Sequence, residues 1–338
     1  MRKILSFSLL AFLLLIGTNA WAEATATETI TLSDQGYTNG QAVSSTSGTV
    51  VTLDYTDGTS TATAYYTTGN GVRVYYGGKM TVSASGLTIT KVIVTFAKDK
   101  SPTISMTSNG TTSTGGTTSP ATWTGSATEV YFNVADKGHA RIQSVQTWCV
   151  VTASIAETGW TTFASSYILD LENITASTGT ATAYYISAVG ENATTVSTIA
   201  KISAGVGILL NGSNGATVSI PVLATGGSAI SGNKLVGCKT STPLTADASK
   251  YVLVKKGDDA VFKSLSEMGA TIPAGKAYLD TGTAPAPSII RLVDDETGAT
   301  NIWNVEETTD KAVKFIENGK LYILRDGITY DALGRVVR

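Results

Sequence analysis

The chain has 338 residues, and with 42% hydrophobic against 15% charged residues it carries enough apolar material for packed cores, which excludes wholesale disorder despite its Thr, Ser and Gly runs. Seven prolines against 34 glycines exclude a Pro-rich stalk and a collagen repeat. One histidine, His139, excludes any His-pair metal site and leaves a serine or cysteine hydrolase a single imidazole base.

The chain opens on a segment of signal type. Arg2 and Lys3 form a positive n-region, Ile4 to Ile16 an apolar core, and Ala20-Trp21-Ala22 a small-x-small pattern before Glu23, so cleavage is expected after Ala22. An uncleaved anchor is the alternative, but an apolar stretch of about 14 residues falls short of the roughly 18 to 20 that span a bilayer. No other apolar run approaches that length, and no membrane span is expected after cleavage. Cleavage would take the 24 basic residues to 22 against 26 acidic ones, a net charge of −4. Lys255-Lys256 is then the one adjacent basic pair, whereas a phosphate-gripping surface needs a clustered basic stripe. Nucleic acid is not an expected partner, nor is an anionic lipid surface.

From Thr29 to Thr152 short runs of Val, Ile, Thr and Tyr are separated by Asn39-Gly40, Asp57-Gly58, Gly69-Asn70-Gly71, Gly77-Gly78 and Asn109-Gly110, the positive-φ residues that hairpin turns require. Val92, Val94 and Phe96, and likewise Val130, Phe132 and Val134, alternate with other residues, which gives each strand one core-facing side. Ser108 to Pro120 reads as a long Thr/Gly loop. A second block begins near Ser154, with strands centred on 161–163, 184–187, 208–210, 218–222, 251–255, 276–279 and 289–293; Ser264 to Met268 is at most one helical turn. At the end, Val313 to Ile316, Lys320 to Arg325 and Ile328 to Tyr330 are joined by Asn318-Gly319 and Asp326-Gly327, a three-stranded meander closing at Leu333-Gly334. The fold class is therefore all-β: two antiparallel, jelly-roll-like β-sandwich domains with a C-terminal β-meander. The expected division is 1–22 signal, 23–152 first sandwich, 153–310 second β-rich domain and 311–338 terminal meander. TATAYY occurs at Thr61 to Tyr66 and again at Thr180 to Tyr185, either a trace of duplication or cheap Thr/Ala alternation.

Most catalytic patterns are missing. Gly205-Val206-Gly207 runs into Ile208-Leu209-Leu210 and reads as a turn before a strand, not as a dinucleotide loop opening a helix. Gly269 to Lys276 ends in Gly-Lys, but its spacing is one residue too long for a phosphate loop. Asp258-Asp259, Asp294-Asp295-Glu296 and Glu306-Glu307 sit in turn-like contexts, where solvated loops are expected rather than the opposed pair a glycosidase needs. Asp34, Asp54 and Asp57 could supply oxygens to a structural calcium, as could most Asp-rich turns. Cys149 and Cys238 are the only cysteines; buried inert thiols and a disulfide both remain open. No cofactor, metal or catalytic residue is expected, and the protein is read as a monomer and not an enzyme.

The aromatics carry more. Tyr65-Tyr66 and Tyr75-Tyr76 flank the Gly69 turn, and neighbours on a strand face opposite ways, so one tyrosine of each pair must leave the core face beside Arg73. A register centred on Gly69 places Tyr65 opposite Arg73. Flat rings with polar tips suit a sugar face and an arginine adds charge-assisted hydrogen bonds, so Tyr65, Tyr66, Arg73, Tyr75 and Tyr76, with Trp123 in the Thr/Gly region, are the candidate ligand-binding residues. The competing reading has these rings covering a second sheet or the neighbouring domain.

The run TATAYYTTGNGVRVYYGGKMTVSASGLTITKVIVTF followed by TWTGSATEVYFNVADKGHARIQSVQ resembles a recurrent β-sandwich module of secreted Bacteroidetes proteins. GWTTFASSYILDL, ISAGVGILLNG, IPAGKAYLD and the ending NGKLYILRDGITYDALGRVV resemble a second module and a short terminal segment of the same group, like those sorted across an outer membrane. The resemblance implies a secreted or outer-surface protein and transfers no catalytic signature. Together these readings point to an exported adhesin-like or glycan-binding module whose partner is a glycan or a host or bacterial surface component; a glycan hydrolase or lyase and a structural spacer are the alternatives.

Overall fold

A computed structural model describes residues 25–59, 61–97, 104–108, 111–115, 120–134, 137–190, 193–282, 287–293, 313–317, 320–325, 328–331, 335 and 337. The expected signal 1–22, Asp294-Asp295-Glu296, Glu306-Glu307 and the closing Leu333-Gly334 lie outside the described residues. Residues up to Asp295 form one compact unit and Glu296–Arg338 a second.

The first half supplies β1 (Glu28–Thr31), β2 (Ser45–Ser47), β3 (Thr52–Thr56), β4 (Ala64–Tyr66), β5 (Gly71–Tyr75), β6 (Lys79–Ser83), β7 (Thr88–Phe96), β8 (Ile104–Ser108), β9 (Thr111–Gly115), β10 (Ala121–Ala127), β11 (Glu129–Val134) and β12 (His139–Ser154). One antiparallel sheet runs β2-β3-β6-β11-β8-β9, and a larger one contains β10-β7-β12 with β1, β5 and β4 at its side. Period-two alternation decides what faces inward: Val92, Val94 and Phe96 on one sheet and Val130, Phe132 and Val134 on the other are all buried and belong to one core. The Phe96 and Phe132 rings stack at 5.7 Å between the layers. Each such side chain contributes roughly 1.5 to 3 kcal/mol on leaving water, which makes this sandwich the anchor of everything on its outer faces. Glu28 clamps the start of the chain to the β2–β3 turn, its carboxylate accepting the N–H groups of Thr49, Val50 and Val51, the last two at 2.9 Å.

The next strands are β13 (Trp160–Phe163), β14 (Ile168–Asp170), β15 (Thr175–Ala176), β16 (Ala181–Val189), β17 (Ala193–Thr198), β18 (Lys201–Ile202), β19 (Ile208–Gly212), β20 (Thr217–Leu223), β21 (Leu235–Cys238), β22 (Thr242–Leu244), β23 (Asp247–Lys256), β24 (Asp259–Leu265), β25 (Ala270–Ile272), β26 (Lys276–Asp280) and β27 (Ile289–Val293). The large sheet does not stop at residue 152: Val150 to Ser154 of β12 pair with β20, which carries β14 and β15. A nine-stranded sheet, β13-β19-β16-β17-β27-β24-β23-β26-β21, curls until its ends meet. There Ala164 N–H donates to Gly275 O at 3.0 Å, and Val206 bridges Val236. Tyr184, Ile186, Leu209, Tyr251, Phe262 and Leu279 fill its inside. On the other side of β16 and β19, Ala183, Ile208 and Leu210 pack with Val218, Ile220 and Val222 in the first core, a second sandwich. Among the described strands only β17 and β27 pair in parallel.

The second unit contains β28 (Val313–Glu317), β29 (Lys320–Arg325) and β30 (Ile328–Asp331), paired antiparallel in sequence order, the expected meander. The chain is all-β, with no α-helix among the described residues and a single 3-10 turn at Leu32–Gln35.

Two expectations are corrected. Part of the expected Thr/Gly loop is strand: β9 pairs with β8 from Ser108↔Thr111 to Ile104↔Gly115, because β-branched threonines suit an edge strand. Ser264 and Leu265 make no helical turn; they end β24, held by the pairing of Ser264 with Tyr251. Cys149 and Cys238 are free and buried in separate apolar clusters. The two TATAYY copies reach different sheets, through β4 and β16.

Candidate functional site

The β4–β5 hairpin sets the site. Its loop is Thr67 to Asn70, with Gly69 at φ 90° and Asn70 at φ 47°, conformations that glycine and asparagine tolerate best. Gln143 Nε2 donates to Gly69 O at 3.0 Å and holds the loop over β12. At Gly71 a Cβ would stand 2.3 Å from Ile142 O, so only glycine lets β5 approach β12 there.

This loop moves the register by one from the expected centring on Gly69. Ala64 faces Arg73, Tyr65 faces Val72 and Tyr66 faces Gly71. Tyr65 therefore joins Val72 and Val74 in the core, only 4% exposed, and is withdrawn as a ligand contact. Tyr66, Arg73 and Tyr75 share the outer face, each half-buried, while Tyr76, just beyond β5, is 43% exposed. Trp123 is withdrawn too: opposite Val92, it takes an inward position of β10 and is 1% exposed.

What remains is a compact cationic and aromatic corner. The Arg73 guanidinium lies 3.9 Å over the Tyr66 ring, and its Nε is buried without a hydrogen-bond partner. Among the described residues no carboxylate forms an ion pair with it. On β12, Arg141 stands directly opposite Arg73 and His139 opposite Tyr75. The Tyr75 and His139 rings are 5.2 Å apart, and Arg141 Nε donates to His139 Nε2 at 3.0 Å. Burial, and after it the neighbouring Tyr66 hydroxyl, hold the Tyr75 phenol above the ordinary tyrosine value, with Arg73 pulling the other way. At neutral pH Tyr75 is thus an O–H donor.

A second locus on the same face was missed by sequence reasoning. Trp148 pairs with Lys91 across β12 and β7, and the ammonium lies 4.6 Å from the indole centroid. The signal was present: Val145, Thr147 and Cys149 point inward, so Gln146 and Trp148 must point out. A similar pair on the other sheet sets Lys79 over Tyr131, whose hydroxyl donates to Glu129 at 2.6 Å.

Other candidates resolve into structure. Asp57 accepts Thr63 N–H at 2.7 Å, and among the described residues no three His, Cys, Asp or Glu side chains gather. Asp258 and Asp259 are exposed at the β23–β24 turn. Gly205 lies in the turn closed by Val206 N–H to Ser203 O. Lys276 donates to Thr161 Oγ1 at 2.8 Å, and burial pushes its ammonium pKa down. A shallow groove of about 280 Å³ beside Phe163, Ser165, Tyr167 and Lys239 holds no paired acid and base. No helix among the described residues is long and apolar enough to cross a membrane. Set against known proteins, the chain matches no family model, no curated protein and no solved structure.

Proposed function

We propose that the protein is an exported, non-catalytic binding module of the secreted or outer-surface kind, a monomer that takes glycan on the outer face of β4, β5 and β12. The observation that carries this reading is the stack of Arg73 on Tyr66 beside Tyr75, held rigid by a buried sheet. Aromatic faces take the apolar side of a sugar, and the guanidinium and phenol supply directed hydrogen bonds. Binding is favoured over turnover because Tyr75 is held protonated and His139 is already engaged by Arg141, so neither is poised to remove a proton.

Polysaccharide affinity gels and titration calorimetry with the full chain test the reading. A glycan is retained without being cleaved. Tyr66→Ala and Tyr75→Ala each weaken it about tenfold, since a lost stacking ring amounts to roughly 1 to 1.5 kcal/mol at about 1.4 kcal/mol per decade. Retention unchanged in both variants, or cleavage of the glycan, overturns it.

A further inference from the structure

Arg73 and Arg141 occupy directly opposed positions on β5 and β12, and like charges in such a pair repel. Tyr66 covers one face of the Arg73 plane, so a ligand reaches Arg73 by its edge, the direction in which a guanidinium donates two parallel hydrogen bonds to an oxyanion. The Nε is itself buried, so it is the terminal nitrogens that an outside oxygen would meet. Lys91 over Trp148 repeats the combination of cation and ring on the same face. Arg141 and Trp148 are seven residues apart on β12, roughly 23 Å at about 3.3 Å per residue, a span of several sugar units.

Resting on the glycan reading above, we propose that the ligand is an acidic polysaccharide, one of whose anionic oxygen groups, carboxylate or sulfate, sits between Arg73 and Arg141, while the chain runs along β12 toward Lys91 and Trp148. The whole chain has a formal net charge of −2, so its overall field does not gather polyanions. Recognition has to come from these side chains.

The test measures affinity at fixed ionic strength for two matched pairs, polygalacturonate against its methyl ester and dextran sulfate against dextran, with single-stranded DNA as a sugar-poor polyanion. The charged member of at least one pair is expected to bind ten times or more tighter than its neutral partner, and the responding pair identifies carboxylate or sulfate. Arg73→Gln and Arg141→Gln each abolish that preference, Arg73→Lys keeps part of it, and Lys263→Ala, which removes an exposed charge on β24, leaves it intact. Circular dichroism and melting confirm that the variants are folded; should Arg73→Gln fail to fold, Arg141→Gln and Arg73→Lys decide. Equal binding of charged and neutral members, still sensitive to Tyr66→Ala, overturns the acidic assignment and leaves the glycan reading standing. No retention of any polysaccharide overturns both. DNA bound as tightly, with the same arginine dependence, overturns the sugar assignment.

Discussion

Tyr65 and Tyr66 are adjacent and identical in chemistry, yet the pleat assigns one to stability and the other to the surface. Trp123 and Trp148 divide in the same way, by the strand position each occupies. Trp123→Ala deletes a fully buried indole and is expected to destabilise by about 3 to 5 kcal/mol. Tyr66→Ala exposes no core and is expected to stay within about 1 kcal/mol of the parent. Urea unfolding of the two variants checks the contrast; equal losses would place Tyr66 in the core as well. Trp123→Phe should lose less than Trp123→Ala, because it keeps most of the ring and removes an indole N–H that has no partner.

At the scale of elements, β1 is only four residues long and is held by more than its pairing to β12. The Glu28 carboxylate satisfies three successive N–H groups of the β2–β3 turn, and hydrogen bonds to a charged acceptor are the stronger kind. Glu28→Ala should therefore lower stability by about 2 kcal/mol, and amide exchange at Thr49 to Val51 should accelerate; protection unchanged at those amides would show that the turn holds without the carboxylate. Strands with strict apolar alternation, such as β7 and β11, were legible in the sequence, as was the terminal meander with its Asn-Gly and Asp-Gly signals. Short strands such as β18 and β22 were not, because two or three residues cannot display a period. For the site, alternation sufficed to bring Arg73 and Tyr75 to one face and to split each tyrosine pair, but the expected centring on Gly69 put Tyr65 in the place that Tyr66 takes. The register was illegible because it depends on a four-residue loop with Asn70 in a left-handed conformation, and the Arg73–Arg141 pair was hidden because nothing local says which strand lies beside β5.

Across the larger unit, β12 is the shared member. β7 pairs along one edge, while β5, β1 and β20 follow one another along the other, so strands from both halves of the chain depend on it. Burial pushes the Cys149 thiol up to about 12, and Cys238 is equally enclosed in another cluster. A chromogenic thiol reagent at pH 8, without reductant, should find no thiol in the native protein and two after denaturation. Both should emerge at one denaturant midpoint, as expected of a unit that unfolds cooperatively. Two midpoints would mean that the sandwiches melt separately, and no thiols in the unfolded chain would mean a bridge. The double pairing of β12 also has a mechanical meaning. Its hydrogen bonds lie across the strand, so tension drawn along its axis by a polymer seated on its outer face would load many of them together in shear instead of peeling them one by one. The face proposed to hold the polysaccharide is thus backed by the strand best placed to bear a pull.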